Sequence, residues 1–168
     1  PCSNNNDLIF SFLDSKNISY EYFEGIKLLQ KTAQLITDGN VVGWYQGKME
    51  WGPRALGNRS ILADPRRADM KDILNAKIKH RESFRPFAPS IMEEFASEYF
   101  EMDIPSPYML MVAPVKKPKE IPAVTHVDGT GRLQTVSKES NELYYSLINE
   151  FYKITGVPVI INTSMNVM

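Results

Sequence analysis

The sequence predicts an α/β domain of the α+β kind, a mixed sheet flanked by helices, forming one unit over 1–168. Three observations carry this. Apolar residues recur at helical spacing in several stretches, and short strand-like apolar runs lie between them. One pair of those runs brackets a tight glycine turn, which a purely parallel sheet would not use. A length of 168 residues, with 43% hydrophobic and 23% charged side chains, suits a single hydrophobic core.

The elements follow in chain order. Asp7 to Leu13 predicts a short helix, and Tyr20 to Phe23 a strand. Ile26, Leu29, Ala33 and Ile36 mark a helix that Gly39 terminates. Val41 to Tyr45 reads as a buried strand, and Gly47 to Ser60, with three glycines and a proline, as a shaped loop. Ile61 to Ala63 is a short strand. Asp64-Pro65 then opens a helix that Met70, Ile73, Leu74 and Ile78 carry to about Ile78. His80 to Pro89 is irregular, because its prolines cannot continue a helix. Tyr108 to Val115 is a strand, and Val124 to Val136 two short strands about Asp128-Gly129-Thr130-Gly131. Leu143, Leu147, Ile148 and Phe151 define a helix ending near Gly156. Val157 to Ile161 is the last strand and delivers Asn162-Thr163-Ser164 at its end.

Charge is informative through its distribution. The net charge of −1 argues against non-specific nucleic-acid binding, which needs a broad basic surface. Yet six of the seven arginines fall between positions 54 and 85. The guanidinium fork suits carboxylate and phosphate, so this enrichment points to anion recognition. Arg66 and Arg67 read as a solvated helix face. Cys2 is the only cysteine, which excludes an intrachain disulfide and suits a reducing, cytoplasmic setting. No apolar run has the length of a membrane span.

Four segments carry polar residues that packing does not demand. In Gly47–Ser60, glycines let backbone N–H groups approach an anion, and Arg54 and Arg59 add charge. The alternative is a tight structural loop whose arginines pair with Glu50 or Asp64. The loop has neither the Gly-Lys-Ser/Thr signature of a P-loop nor the dinucleotide glycine spacing. In Lys79–Phe87, Lys79 and Arg81 could offset a helix dipole at ~0.3–1 kcal/mol each. Arg85 has apolar neighbours that would draw it inward, where it needs an anionic partner. Thr125–Arg132 offers His126 and Asp128, but His80 is the only other histidine, too few for a zinc site. Asn162–Asn166 places small polar groups at a strand end, as ligand holders or as a helix cap.

Taken in order, these segments resemble the C-terminal domain of O-carbamoyltransferases related to NodU and the tobramycin carbamoyltransferase. The resemblance rests on Gln46–Ile61, Phe84–Ser90, Pro122–Thr130 and Asn162–Ser164. It implies a YrdC-like twisted mixed sheet that uses carbamoyl phosphate and ATP, with Mg²⁺ held through the nucleotide phosphates, to form carbamoyl adenylate. A separate N-terminal metal-binding domain would then move the carbamoyl group to a substrate hydroxyl. By the same resemblance, Lys79 and Arg85 are the catalytic pair, joined by Ser164 and Asn166. Arg54, Arg59, Arg132, Thr125 and His126 complete the implied ligand-binding set, and this domain holds no metal site of its own.

Two departures from the family pattern stand out. Met165 occupies a position where an aromatic is common, and the family continues beyond Asn166 with a Gly-Glu-Pro-containing segment. The chain is therefore expected to be an excised fragment lacking the N-terminal transferase domain and the extreme C-terminus. Two other readings stand beside the enzymatic one. A degenerate module would hold nucleotide or dock on a partner domain without catalysis, and a double-stranded RNA binder would need more surface charge than this chain carries.

Overall fold

The computed structural model describes residues 6–166. Five strands form a mixed sheet in the order β1-β2-β7-β3-β6. They are β1 (Val42–Tyr45), β2 (Arg59–Ala63), β3 (Ala88–Met92), β6 (Gln134–Val136) and β7 (Val159–Ser164). All pairings are antiparallel except β3 with β6. A separate antiparallel pair joins β4 (Val112–Pro114) to β5 (Thr130–Arg132). The mixed α/β architecture agrees with the sequence expectation.

Alternation along the strands builds two cores, one on each face of the sheet. Trp44, Leu62, Met92, Val136 and Ile160 meet α2 (Ile26–Thr37) and α5 (Glu142–Thr155) on one face. Leu147, Ile148 and Phe151 of α5 are wholly buried there, each contributing ~1.5–3 kcal/mol through burial. On the other face, Ala63, Ile91, Val159 and Ile161 pack against α3 (Met70–Ile73) and α4 (Ala96–Tyr99). The helix ends obey local rules. Gly39 lies at φ 86, and its N–H and that of Asn40 close on the carbonyls of Ile36 and Leu35. Asn141 caps α5 by accepting the Tyr144 N–H, and Gly156 ends it at φ 71.

Several expectations need correction. Tyr20–Phe23 is not a strand; Phe10 of α1 (Asn6–Ser15) stacks on Tyr20 at 5.6 Å and meets Tyr22 edge-on at 5.3 Å. β1 is an edge strand with only Trp44 buried. The helix expected from Asp64-Pro65 begins at Met70. Asp64 instead accepts the Arg66 N–H at 2.9 Å and pairs with its guanidinium, while the Pro65 carbonyl accepts the Ala123 N–H at 3.1 Å. After Ile73 the backbone widens into a π-helical turn, Leu74–Lys79.

The strand expected over Tyr108–Val115 shrinks to β4, because Met109 adopts φ 55 and breaks the extended run. The strand expected before the Asp128-Gly129 turn is not formed: Pro122–Val124 is a 3-10 turn, the His126 N–H closes locally on the Thr130 carbonyl at 2.8 Å, and β5 and β6 both follow Gly129 and join different sheets. Asn162–Ser164 lies within β7 and not beyond it. Among the described residues, no helix is long and apolar enough to cross a membrane.

Candidate anion-binding active site

The site begins with a buried amide clamp under the Gly47–Asn58 loop. Asn162, 1% exposed on β7, donates through Nδ2 to the Ala55 carbonyl at 3.0 Å and to Gln134 Oε1 at 2.9 Å. Gln134 on β6 donates to the Leu56 carbonyl at 2.9 Å and accepts from Ser90 Oγ of β3 at 2.7 Å. Three strands thus hold two consecutive carbonyls of the loop. The Glu50 carboxylate accepts the N–H groups of Leu56 at 2.6 Å and Asn58 at 2.7 Å, and Ser60 Oγ that of Gly57 at 3.1 Å. These three N–H groups are therefore already satisfied, and the glycine contributes shape. Gly57 sits at φ 106, where a Cβ would lie 2.3 Å from the Tyr144 ring.

Fixed in this way, the loop presents Arg54. An inner cavity of 130 Å³ is lined by Arg54, Arg81 and Arg132 together with Asn162, Thr163 and Ser164. It shares the three arginines with an adjoining cavity of 390 Å³, which adds Arg85 and His126. Neither lining contains an aspartate or glutamate. The structural alternative for Arg54, pairing with Glu50 or Asp64, is not realised, since Glu50 binds backbone and Asp64 binds Arg66. Among the described residues, Nε of Arg54 and Nε of Arg132 are buried without partners. Burial, and then Arg54 nearby, pushes Arg132 below its ordinary value; burial and Arg85 do the same to Arg81. Crowded, desolvated like charges of this kind favour a bound anion.

Arg81 is the site residue that sequence reading assigned to dipole compensation. His80 takes a left-handed conformation at φ 47, which turns the chain at the end of the π-helical turn. Arg81 Nε then donates to Asn75 Oδ1 at 2.7 Å, and its guanidinium lies over Phe87 at 4.8 Å from the ring centre. Arg85, expected to be drawn inward, is instead half-exposed and pairs with Glu82 at 3.1 Å, because Phe84 turns outward, 73% exposed. It reaches the site from the rim of the larger cavity.

Lys79, 6% exposed, packs beside Ser164; of Lys79, Ser164 and Asn166 only Ser164 is among the residues lining the inner cavity. Its ammonium donates to the Ser164 carbonyl, to Ser164 Oγ at 3.4 Å and to the Asn166 carbonyl at 3.0 Å. Ser164 Oγ in turn donates to Asn166 Oδ1. Burial, with Arg81 adding repulsion, holds Lys79 below the ordinary lysine value. Lys79, Ser164 and Asn166 are thus one hydrogen-bonded cluster. Arg59 stands apart at the start of β2, outside the residues lining these cavities.

His126 and Pro86 line both the arginine cavity and a third cavity of 520 Å³, lined also by Lys71, Thr125 and Asp128. Its Nδ1 lies 3.1 Å from Thr130 Oγ1. Burial lowers its pKa from 6.5, with Arg132 and Lys71 acting in the same direction and Asp128 opposing. Thr125 Oγ donates to the Ile121 carbonyl at 3.0 Å. Among the described residues, no group of three or more His, Cys, Asp or Glu could hold a metal ion.

Fold and site together define a mixed α/β domain that gathers arginines around a cavity whose lining holds no carboxylate. Residues 33–168 match the model of the carbamoyltransferase C-terminus, and the chain belongs to that family. It is 56% identical over 141 residues to nodulation protein NolNO of Sinorhizobium fredii, covering 81% of this chain and 21% of that protein. Nodulation protein U of the same species is 43% identical over 140 residues, 82% of this chain and 25% of the relative. An uncharacterized protein of Synechocystis sp. is 46% identical over 170 residues, 88% and 28% respectively. The chain therefore spans little more than a quarter of such relatives at most. The fold is also similar to part of full-length HypF, solved in a phosphate- and nucleotide-bound form. The TM-score is 0.51 at 14% identity, covering 89% of this chain and 18% of HypF. That likeness agrees with the YrdC-like fold expected from the resemblance.

Proposed function

We propose that this domain activates the carbamoyl group, forming carbamoyl adenylate from carbamoyl phosphate and ATP. The observation that carries the reading is the convergence of Arg54, Arg81 and Arg132 on one cavity whose lining holds no carboxylate. Water splits carbamoyl phosphate into carbamate and inorganic phosphate. A carbamate oxygen then bonds to the α-phosphorus of ATP, the bridging P–O bond breaks, and its electron pair leaves with pyrophosphate.

Several anionic groups must approach one another in this step, and fixed cations offset their repulsion and hold them in line. Arg54, Arg81 and Arg132 would bind the donor phosphate and the carbamate, with Arg85 closing the rim. The ammonium of Lys79 would keep Ser164 and Asn166 in place beside the reacting groups. His126 and Thr125 extend the surface on which the nucleotide would lie. Mg²⁺ would be carried by the nucleotide phosphates, as that ion commonly is. HypF, similar in fold, has been solved with phosphate and nucleotide bound, which supports the choice of ligands.

On this reading the chain is one domain of a longer enzyme. A separate N-terminal domain would pass the carbamoyl group to a hydroxyl acceptor. The test is pyrophosphate release by the full-length protein given ATP, Mg²⁺ and carbamoyl phosphate. Nucleotide binding without turnover would favour the non-catalytic module instead.

A further inference from the structure

The carbamoyl donor has one feature that arginines cannot read. Guanidinium groups only donate hydrogen bonds, so they recognise the oxygens of carbamoyl phosphate and of acetyl phosphate alike. The two molecules differ in an NH2 group against a methyl of nearly the same size. Telling them apart needs an acceptor at the cavity, and aspartate and glutamate are absent from the inner lining. Hydroxyls such as that of Thr163 can turn to donate or accept, whereas an amide oxygen can only accept.

Asn162 lines the inner cavity, is 1% exposed, and has a buried Oδ1 without a hydrogen-bond partner among the described residues. Its amide cannot flip to relieve this. Nδ2 donates to two acceptors, the Ala55 carbonyl at 3.0 Å and Gln134 Oε1 at 2.9 Å. Gln134 is oriented in turn by its bond to the Leu56 carbonyl at 2.9 Å. Reversing Asn162 would set an oxygen against two oxygens. The clamp therefore fixes Oδ1 as a free acceptor, and a buried acceptor left unpaired is costly.

We infer that Asn162 Oδ1 accepts an N–H of the carbamoyl group and is the specificity-determining residue that selects a carbamoyl over an acyl donor. This rests on the proposed function and adds to it the basis of donor choice. A site built to pair with an N–H rejects an analogue lacking it, because its own acceptor is left stranded.

The experiment measures pyrophosphate release from ATP by the full-length protein with carbamoyl phosphate or acetyl phosphate, alongside inhibition by inorganic phosphate. The wild type is expected to favour carbamoyl phosphate by at least about 100-fold in kcat/KM. Asn162→Ala also releases the Ala55 carbonyl beside Arg54 and so weakens both donors and inorganic phosphate alike; the readout is the ratio of kcat/KM for the two donors, which is expected to lose most of its preference. Comparable use of both donors by the wild type overturns the inference but leaves carbamoyl activation standing. A donor ratio left unchanged in Asn162→Ala, whatever the absolute losses, would also overturn it, by making Asn162 structural only. Should that variant fail to fold, Asn162→Ser is read by the same ratio. No pyrophosphate with either donor removes the proposed function itself.

Discussion

Lys79 and Ser164 are joined across the fold: the buried ammonium of the π-helical turn donates to the backbone carbonyl at the end of β7. The same ammonium reaches the Asn166 carbonyl at 3.0 Å. A single cation thus ties together two segments 85 residues apart in sequence. Replacing it with methionine keeps the length and removes the donors. Lys79→Met is expected to slow pyrophosphate formation by about 10- to 100-fold, corresponding to ~1.5–3 kcal/mol for bonds from a charged donor. Faster amide exchange at 164–166 in the variant would accompany it. Unchanged activity would remove Lys79 from the site.

Arg132 is held with Nε unpartnered beside Arg54, at a cost to the free protein. Arg132→Gln is expected to raise the melting temperature slightly, or leave it unchanged, while weakening phosphate binding by about tenfold or more. Thermal melts with and without inorganic phosphate separate the two effects. A marked loss of stability in the free variant would show that Arg132 supports the fold.

Arg85 behaves differently, because its ion pair with Glu82 is half-exposed on both sides. Such pairs contribute ~0–1 kcal/mol, so Arg85→Ala is expected to fold normally. Activity should nevertheless be abolished, since Arg85 lines the larger cavity. Circular dichroism and the pyrophosphate assay on the same preparation check both halves.

His126 gives a pH signature. Its pKa lies below 6.5 in the folded protein, through burial first and then Arg132 and Lys71. As pH falls through 6.5, the unfolded chain takes up the proton before the folded one, and stability drops. Above 6.5 both forms are neutral and this contribution vanishes. NMR titration of the imidazole should show the low midpoint, and inorganic phosphate in the adjoining cavity should move it upward. A midpoint at or above 6.5 in the free protein would contradict the burial described.

Gly57 tests the packing under the loop. At φ 106 with Tyr144 Cδ1 2.3 Å from a Cβ, Gly57→Ala is expected to cost about 1–3 kcal/mol or more. Urea denaturation measures it, and a cost near zero would mean that Tyr144 can yield.

What was legible in the sequence was what is local. The Gly39 and Gly156 termini, α5 and the shaped Gly47–Ser60 loop follow from period and turn chemistry. The expected position of Asn162-Thr163-Ser164 near a strand end needed only to move into β7 itself. Elements set by distant partners were not legible. Tyr20–Phe23 has the composition of a strand but pairs with no strand among the described residues, and the segment before the Asp128-Gly129 turn ends in a 3-10 turn where a strand was expected. Arg81 was hidden because its role depends on the left-handed turn at His80. The asparagine–glutamine clamp joins residues 28 positions apart, a spacing without any helical or strand meaning. Only one sign of it was available, an amide side chain at the end of an apolar strand.

The proposed coupling of carbamoyl phosphate to ATP leaves a distinct set of phosphorus products, which ³¹P NMR follows when full-length protein meets ATP, Mg²⁺ and carbamoyl phosphate. Pyrophosphate is expected in equal amount with inorganic phosphate, and only when the carbamoyl donor is present. ADP in place of pyrophosphate, or pyrophosphate independent of the donor, would contradict it.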